Sequence, residues 1–359
     1  MDLATIGWNA ALEEEFAPFA EQGLIPARVA RTHSATYQIY AKEGELTAEL
    51  TGRMKHEATS RSELPAVGDW VAVQPNLEEG KGMVQAVLPR KSCFSRKEAS
   101  VRTEEQVVAA NVDTVFLVAG LDRDFNLRRL ERYLVLAWDS GASPVVVRNK
   151  ADLCDELEVR VAEVEGIAFG VPVHPISATE KEGLEPLFQY LGQGQTVALL
   201  GSSGVGKSTL INSLLGREVL AVGAVRADDQ RGRHTTTHRE LVPMPGGGVL
   251  IDNPGMRELQ LWTDEEGLKE TFEDVEALAG ECRFRDCGHS GEPGCAVQRG
   301  LSDGTLDPKR FESYLKLQRE LQHLAARQDY KERMAVKERG KQIAKWSKQF
   351  NKERSEGKR

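Results

Sequence analysis

The chain has 359 residues, a formal net charge of −8 and 40% hydrophobic residues, which suits two or three domains of ordinary globular composition. No segment approaches the roughly eighteen consecutive apolar residues of a membrane span, and the acidic N-terminus lacks a signal-peptide core, so we expect a cytoplasmic protein that binds no membrane. The five cysteines, an odd number, do not indicate a disulfide framework.

Residues 1–95 predict an N-terminal helix followed by a small β-barrel. Short alternating or apolar runs succeed one another without a helical period, and Gly, Pro and charged turns separate them: ARVART, TYQIYA, LTAELTG, DWVAVQ and GMVQAVLP. Runs of this length and spacing are typical of a small all-β domain.

A guanine-recognition motif follows the next pair of predicted elements. The run NVDTVFLVAG predicts a strand, apolar spacing predicts a helix from Leu127 to Trp138, and SPVVVRNKADL is an apolar strand that ends in Asn149, Lys150 and, one residue further, Asp152. This N-K-x-D pattern suits guanine, because an aspartate accepts hydrogen bonds from N1 and the exocyclic amine together, whereas adenine N1 is itself an acceptor. The motif alone also occurs by chance on exposed turns.

The segment GSSGVGKST predicts a phosphate-binding loop. It follows the apolar run TVALLG and opens a helix, and it fits the pattern G-x-x-x-x-G-K-[ST]. A chance Gly/Ser-rich turn does not account for the flanking strand and helix. In such loops the lysine, Lys207, reaches the β and γ phosphates and the hydroxyl of Ser208 ligates Mg²⁺. We expect these residues to bind nucleotide: Gly201, Ser202, Ser203, Gly204, Val205, Gly206, Lys207, Ser208 and Thr209.

The order of the motifs predicts a circular permutation. Ser177 and Ala178 resemble the G-protein loop whose backbone contacts the guanine oxygen, and GGVLIDNPG ends in Asp252 and Gly255, a D-x-x-G motif for Mg²⁺ and the γ-phosphate. G proteins normally begin with the phosphate loop and end with N-K-x-D and S-A, whereas this chain begins with N-K-x-D. Such a permutation keeps the parallel sheet and its crevice at the carboxyl ends of the strands.

These motifs, with GRHTTT at residues 232–237, resemble the bacterial family of circularly permuted GTPases that depend on the small ribosomal subunit. The resemblance covers about residues 24–325. It implies a multidomain fold with an N-terminal OB-fold in 1–95, a permuted α/β P-loop GTPase domain in 96–262, a helical zinc-binding domain in 263–325 and a basic helical or disordered tail in 326–359.

An OB-fold binds oligonucleotides on one face. Four basic residues near the end of the predicted barrel are candidates to contact phosphate there, and the alternative is that they form a solvated linker between domains: Arg90, Lys91, Arg96 and Lys97.

The catalytic residues are the least complete part of the motif set. Ras-type enzymes place a water-orienting glutamine after D-x-x-G, but here that residue is Met256, which cannot hold a water molecule by hydrogen bonds. The resemblance implies that His234 takes this role and that Thr236 coordinates Mg²⁺, although the two neighbouring threonines remain open for the metal. Arg233 is interpreted as surface charge in preference to an arginine finger.

A zinc site is predicted by Cys282, Cys287, His289 and Cys295, spaced C-x4-C-x-H-x5-C. Three thiolates and one imidazole complete a tetrahedral Zn²⁺ with no open position, so the site would be structural. The alternative of unrelated buried cysteines does not suit this polar, glycine-rich stretch, which offers little apolar core.

The charge distribution predicts a basic arm. From Lys309 to the end there are 16 Lys and Arg against seven Asp and Glu, so this part carries +9 and the preceding residues −17. Helix-forming composition from about Phe311 to Lys352 predicts a helix that is packed first and solvated beyond Leu324. We expect it to contact RNA phosphates, with Trp346 and Phe350 available for stacking; the alternative is a disordered, solubilising tail.

The resemblance implies a GTPase that binds the 30S ribosomal subunit and its 16S rRNA in the GTP form, is stimulated there and leaves after hydrolysis as a late assembly factor. It would act as a monomer with GTP or GDP, Mg²⁺ and one Zn²⁺. Two other hypotheses are a P-loop ATPase or kinase, which N-K-x-D disfavours, and an RNA-binding module with a degenerate nucleotide site, which the intact Lys207, Ser208 and Asp252 disfavour.

Overall fold

The computed structural model describes these residues of the chain: 1–33, 36–58, 60–97, 105–122, 125–218, 240–252 and 266–326. A 3-10 turn at Leu3–Ile6 and helix α1, Ala10–Ala20, form the N-terminal segment, and the side chain of Asn9 caps α1 by accepting from the Leu12 N–H at 3.1 Å. Aromatic contacts join this segment to the next domain, since Trp8 lies 4.9 Å, centroid to centroid, from Trp70.

Five strands close into a barrel: β1 Ile25–His33, β2 Thr36–Ala41, β3 Gly44–Leu50, β4 Trp70–Asn76 and β5 Lys81–Val87. Their order is β1-β2-β3-β5-β4, with β4 pairing back onto β1; only the β3–β5 pair among them is parallel. Alternating residues such as Val29, Ile39 and Val84 fill the interior completely. The predicted OB-type barrel is confirmed, and the short helix α2, Gly52–Glu57, lies between β3 and β4.

A two-stranded hairpin connects the barrel to the central domain. It consists of β6, Cys93–Lys97, and β7, Glu105–Ala110, and the sequence analysis assigned no element there.

The central sheet contains six further strands: β8 Thr114–Gly120, β9 Ser143–Asn149, β10 Val173–Pro175, β11 Thr196–Leu200, β12 Glu240–Pro243 and β13 Val249–Asp252. Their spatial order is β10-β9-β8-β11-β13-β12, and all run parallel except β12. Strand β11, which precedes the phosphate loop, thus lies beside a strand that comes earlier in the chain. The predicted permuted α/β domain is confirmed. Strand β12 also pairs with β1 of the barrel, at Glu240 and Arg31, so the central sheet continues into the barrel.

Helices cover the central sheet and form the C-terminal region: α3 Leu127–Asp139, α4 Leu157–Glu165, α5 Lys207–Leu215, α6 Glu266–Thr271, α7 Glu273–Gly280, α8 Ala296–Asp303 and a helical segment at 308–326. Helix α6 packs closely on α3 at Gly267, where a Cβ would lie 2.2 Å from Asp139 Oδ1 and 2.6 Å from the Val135 carbonyl oxygen. The C-terminal helices therefore dock directly on the central domain. Within the described ranges, no helix has the length and apolar composition needed to cross a membrane.

Candidate functional site

The phosphate loop connects the buried strand β11 to helix α5. Gly204 and Gly206 adopt left-handed backbone conformations, with φ of +80° and +93°, and α5 begins at the next residue, Lys207. A Cβ on Gly206 would lie 2.3 Å from Asn149 Nδ2, so glycine is required there by both conformation and space. The first N–H groups of α5 have no partner within the helix, which makes this loop suited to an anion.

Lys207 reaches back across the mouth of the loop. Its Nζ donates to the carbonyl oxygens of Gly201 at 2.8 Å and Ser202 at 2.7 Å. The ammonium is therefore held where phosphate oxygens would enter, and exchange of these neutral acceptors for phosphate would strengthen its hydrogen bonds.

Asn149 joins three of the predicted motifs. Its Nδ2 donates to the Val205 carbonyl oxygen at 2.7 Å, and its Oδ1 accepts from the Ala178 N–H at 3.0 Å. The side chain is 3% exposed, so both bonds are shielded from water. N-K-x-D, the phosphate loop and the S-A loop thus meet at one edge of the sheet, as the permutation predicts. In this structure the Ala178 N–H, predicted to lie near the guanine oxygen, is bonded to Asn149.

The other residues of the base-recognition motifs lie beside Asn149. Lys150 has a left-handed backbone, with φ of +66°, and its Nζ lies 2.6 Å from Asp122 Oδ2. Asp152 is exposed in the 3-10 turn at Ala151–Leu153, while the Ser177 hydroxyl is buried and accepts from the Glu180 N–H. The exposed Asp152 carboxylate is therefore accessible to a base bound at this turn.

Asp252, the last residue of β13, carries a buried carboxylate. Its Oδ2 has no hydrogen-bond partner among the described residues. Burial raises the pKa of Asp252 to about 6, and the charge of Lys207 opposes that rise. A buried carboxylate oxygen without a donor, close enough to Lys207 to feel its charge, fits a place in a Mg²⁺ site next to Ser208 at the start of α5.

The predicted catalytic residues His234 and Thr236 and the predicted γ-phosphate sensor Gly255 lie outside the described ranges, as do Arg233 and Met256. The predicted RNA-contacting tail beyond residue 326, with Trp346 and Phe350, also lies outside them. The roles assigned to these residues remain predictions from sequence.

The four predicted zinc ligands come together. His289 Nδ1 lies 3.6 Å from Cys282 Sγ and 3.5 Å from Cys295 Sγ, and the two sulfurs are 3.9 Å apart. With Cys287, all four ligand atoms lie within 4.8 Å of one another. Ligands about 2.3 Å from a tetrahedral centre lie about 3.8 Å apart, so the cluster fits a closed Zn²⁺ site.

Backbone groups complete the surroundings of the cluster. Cys282 Sγ accepts from the Ala296 N–H and Cys295 Sγ from the Gln298 N–H, both at 3.4 Å, and the side chain of Gln298 donates to the His289 carbonyl oxygen at 2.6 Å. N–H donors at the start of α8 favour thiolates over thiols. His289 itself has φ of +56°, which directs its ring into the loop.

Arg90 is not available to contact nucleic acid. Its guanidinium donates twice to the buried carboxylate of Asp69, at 2.8 and 2.7 Å, and also to the carbonyl oxygens of Ser62 and Leu64. Lys91 pairs with Asp113. Arg90 therefore has neither of the roles predicted for it, phosphate contact or part of a solvated linker. It supplies the positive charge that the buried carboxylate of Asp69 requires.

Arg96 and Lys97 lie at the end of strand β6. Arg96 donates to the Gln106 side chain across the β6–β7 hairpin at 3.2 Å, and the side chain of Lys97 lies outside the described residues. Sequence analysis also overlooked Asp122, although a carboxylate directly after a buried parallel strand is a signal of a residue at the crevice.

Comparisons with known proteins agree with this geometry. The model of the RsgA GTPase family matches residues 87–262. The chain is similar, at 50% identity over 99% of each chain, to the "Small ribosomal subunit biogenesis GTPase RsgA" of Opitutus terrae. It is also similar to the crystal structure of YjeQ from Thermotoga maritima, with a TM-score of 0.63 and 30% identity over 83% of this chain and 98% of that one. A structure described as YloQ, a circularly permuted GTPase, has the same fold, with a TM-score of 0.59 and 23% identity over 84% of this chain and 96% of that one.

Proposed function

The chain belongs to the RsgA GTPase family and is a GTPase, and we propose that it acts in the late assembly of the small ribosomal subunit, which stimulates its hydrolysis of GTP and releases it afterwards. The observation that supports this most is the bridge made by Asn149, because it assembles the phosphate loop and both guanine motifs into one site. The name of the relative from Opitutus terrae supports the choice of partner.

Different residues of this site bind the phosphates, the base and the metal ion of GTP. The N–H groups of residues 201–209 wrap the phosphates, and the ammonium of Lys207 neutralises charge on the β and γ phosphates. Asp152 accepts from the guanine N1–H and amine, and Ser177 and Ala178 border the base. Ser208, Thr236 and Asp252 would hold Mg²⁺, which would offset the negative charge of the phosphates.

His234 orients the attacking water. Met256 cannot do so because a thioether is at best a weak acceptor, and a histidine next to the threonine run supplies both a donor and an acceptor. Without a glutamine after D-x-x-G, we expect slow hydrolysis by the protein alone. Contact with the ribosomal partner would then place His234 at the γ-phosphate, and the subunit would stimulate turnover in this way.

The covalent connection between D-x-x-G and helix α6 would couple the nucleotide state to the C-terminal region. The segment 253–265 connects Asp252, at the end of β13, directly to helix α6, and Gly255 is the expected sensor of the γ-phosphate. Hydrolysis would therefore change how the zinc-binding helices meet the subunit. The basic tail would contact 16S rRNA through its phosphates, and the protein would act in the cytoplasm as a monomer.

GTP hydrolysis measured with the protein alone and with salt-washed 30S, 50S and 70S particles tests this proposal. We expect strong stimulation by the 30S subunit only, and loss of that stimulation in His234→Ala with GTP binding intact. Asp152→Asn should shift nucleotide preference towards xanthosine nucleotides and serves as a test of the base site. Tight GTP binding with no stimulation by any particle would contradict the choice of partner, and full stimulation of His234→Ala would contradict the role of that residue.

A further inference from the structure

An ion pair links two strand ends beneath the base-recognition turn. Asp122 follows β8, Lys150 follows the neighbouring strand β9, and Lys150 Nζ lies 2.6 Å from Asp122 Oδ2. The two side chains are 26% and 27% exposed, so the pair is partly shielded from solvent. A short charge-assisted bond of this kind restricts the lysine more than a surface contact does.

The backbone around Asp122 is fixed by its neighbours. The Leu121 N–H donates to the Asn149 carbonyl oxygen at 2.9 Å, and Arg148 donates to the Gly120 carbonyl oxygen at 3.2 Å. A Cβ on Gly120 would lie 2.6 Å from Asp122 Oδ1, so the absence of a side chain there makes room for the carboxylate. Asp122 is therefore an anchor on a rigid segment.

The turn at Lys150 is correspondingly constrained. The left-handed φ of +66° is sparsely populated for a residue with a side chain, and the Ala151 N–H holds the turn by donating to the Ile176 carbonyl oxygen at 3.0 Å. With its backbone set by the turn and its ammonium set by Asp122, the four-carbon stem of Lys150 is fixed at both ends.

We propose that Asp122 is a positioning residue for guanine nucleotides: its carboxylate anchors the ammonium of Lys150 so that the lysine stem forms a preformed wall for the flat face of the base. This inference rests on the proposed role of N-K-x-D. A free lysine would lose side-chain entropy when it packs against a ligand, and anchoring it beforehand removes that loss from the binding step. The wall contacts the face of the base, whereas Asp152 reads its edge.

These two roles have different signatures. Loss of Asp122 should weaken GTP, GDP and xanthosine nucleotides by the same factor, because all of these bases present a flat face. Loss of the edge-reading Asp152 carboxylate should change the preference between guanine and xanthine.

The test is a double-mutant cycle read by equilibrium binding of GDP, GTP and xanthosine diphosphate. Wild type, Asp122→Asn, Lys150→Ala and the double variant are compared, with Asp155→Asn as the matched control because Asp155 is an exposed aspartate just past the same turn. We expect Asp122→Asn to raise Kd about three- to tenfold for all three nucleotides, to have no further effect on Lys150→Ala, and to lose most of its effect in molar salt. Asp155→Asn should bind as wild type.

Other outcomes overturn the inference without ambiguity. If Asp122→Asn weakens binding equally in the Lys150→Ala background, Asp122 does not act through Lys150. If Asp122→Asn lowers the free energy of unfolding of the nucleotide-free protein by as much as it reduces the binding free energy, the role of Asp122 is to stabilise the fold. If wild type itself does not bind GDP, the proposed function fails and not this inference alone.

Discussion

The barrel and the C-terminal helices are both attached to the central sheet, but by different interactions. The barrel is joined by strand pairing, by the ion pair of Arg31 with Glu240 and by Arg28, a fully buried side chain on β1. Its guanidinium donates to the carbonyl oxygens of Ile6, Gly68 and Asn111 and, at 2.9 Å, to the hydroxyl of Thr196, the first residue of the strand that leads to the phosphate loop. All of these acceptors are uncharged.

The C-terminal helices are held by an apolar core shared with α3 and by ion pairs along that helix. Three pairs cross from α3 to the segment that follows α8: Arg128 with Asp307 at 3.0 Å, Glu131 with Arg310 at 3.2 Å and Arg132 with Glu320 at 2.6 Å. Glu131 and Arg310 are buried, and the other two pairs are partly exposed.

The two buried arginines at these attachments teach that a buried charge can be satisfied in two ways: Arg28 binds uncharged oxygens, whereas Arg310 binds the carboxylates of Glu131 and Asp274. Burial of Arg28 lowers its pKa to about 10, yet its charge remains at physiological pH, and its hydrogen bonds to backbone oxygens depend little on salt. Ion pairs between partly exposed groups weaken as salt rises.

Metal removal should have the largest effect and should separate the two regions. The cluster Cys282, Cys287, His289 and Cys295 lies between α7 and α8, against the apolar core of the C-terminal region, and metal binding in small zinc domains supplies about 10–16 kcal/mol of folding free energy. We expect chelation, or Cys282→Ser, to abolish protection of α8 and the helical segment 308–326 in hydrogen exchange while the barrel stays protected. Unchanged protection of α8 after verified metal loss would show that the cluster is not structural.

Among the ion pairs along α3, we expect Arg310→Ala to lower the free energy of unfolding the most. It removes one of the two arginines that bind the completely buried Glu131, leaving Arg128, and it also removes the bonds of 2.7 and 2.8 Å to Asp274. Breaking a buried pair costs about 3–5 kcal/mol, which denaturant unfolding of the C-terminal region would measure. Arg319→Ala, an exposed arginine on the same helical segment, is the control and should be nearly neutral. A cost below about 1 kcal/mol for Arg310→Ala would mean that Arg128 alone compensates the buried charge of Glu131.

Arg28→Met should cost somewhat less, about 2–4 kcal/mol, since a side chain of similar length preserves packing but leaves buried carbonyl oxygens without donors. We expect the loss in the unfolding of the barrel and central sheet. The cost should be the same at about 0.05 and 0.5 M salt, a range over which the screening length falls about threefold. If the free energy lost in Arg28→Met decreased as salt rose, the attachment through Arg28 would not differ from the attachment through ion pairs.

Arg132→Gln gives the smallest effect and the most direct comparison with Arg28. Its bidentate pair with Glu320, at 2.6 and 2.7 Å, is about one-third exposed, so it contributes about 0.2–1 kcal/mol. We expect a small decrease in melting temperature at low salt that disappears at high salt. A decrease that persists at high salt would indicate that packing of the arginine stem, and not charge, holds the helix.

The sequence predicted elements well where a local pattern carried the signal. Strand β8 and helix α3 were predicted from runs of apolar residues, and the five barrel strands from their spacing. The hairpin β6–β7 was missed because its stability depends on contacts outside itself, such as the buried Val107 and Ala110, and its strands have no strong alternation of their own.

Charged residues were the main source of error. Arg90 is basic and close to a barrel that could bind nucleic acid, so phosphate was a reasonable partner from sequence. The structure instead pairs it with Asp69, 21 residues earlier in the chain and fully buried. No local pattern distinguishes an arginine that faces solvent from one that compensates a buried carboxylate, because the distinction depends on which surface folds over it.

The sequence by itself determined the chemistry of this protein: a phosphate loop, a guanine motif, a metal cluster and their permuted order all depend on residue types at short, fixed spacing. The tertiary structure decided how those parts are joined. Asn149 bonds to Val205 across 56 residues, and Arg132 bonds to Glu320 across 188. Such pairs arise only when strand order and helix docking bring distant segments together, and the energy of a polar side chain depends on the partner and the burial it finds there.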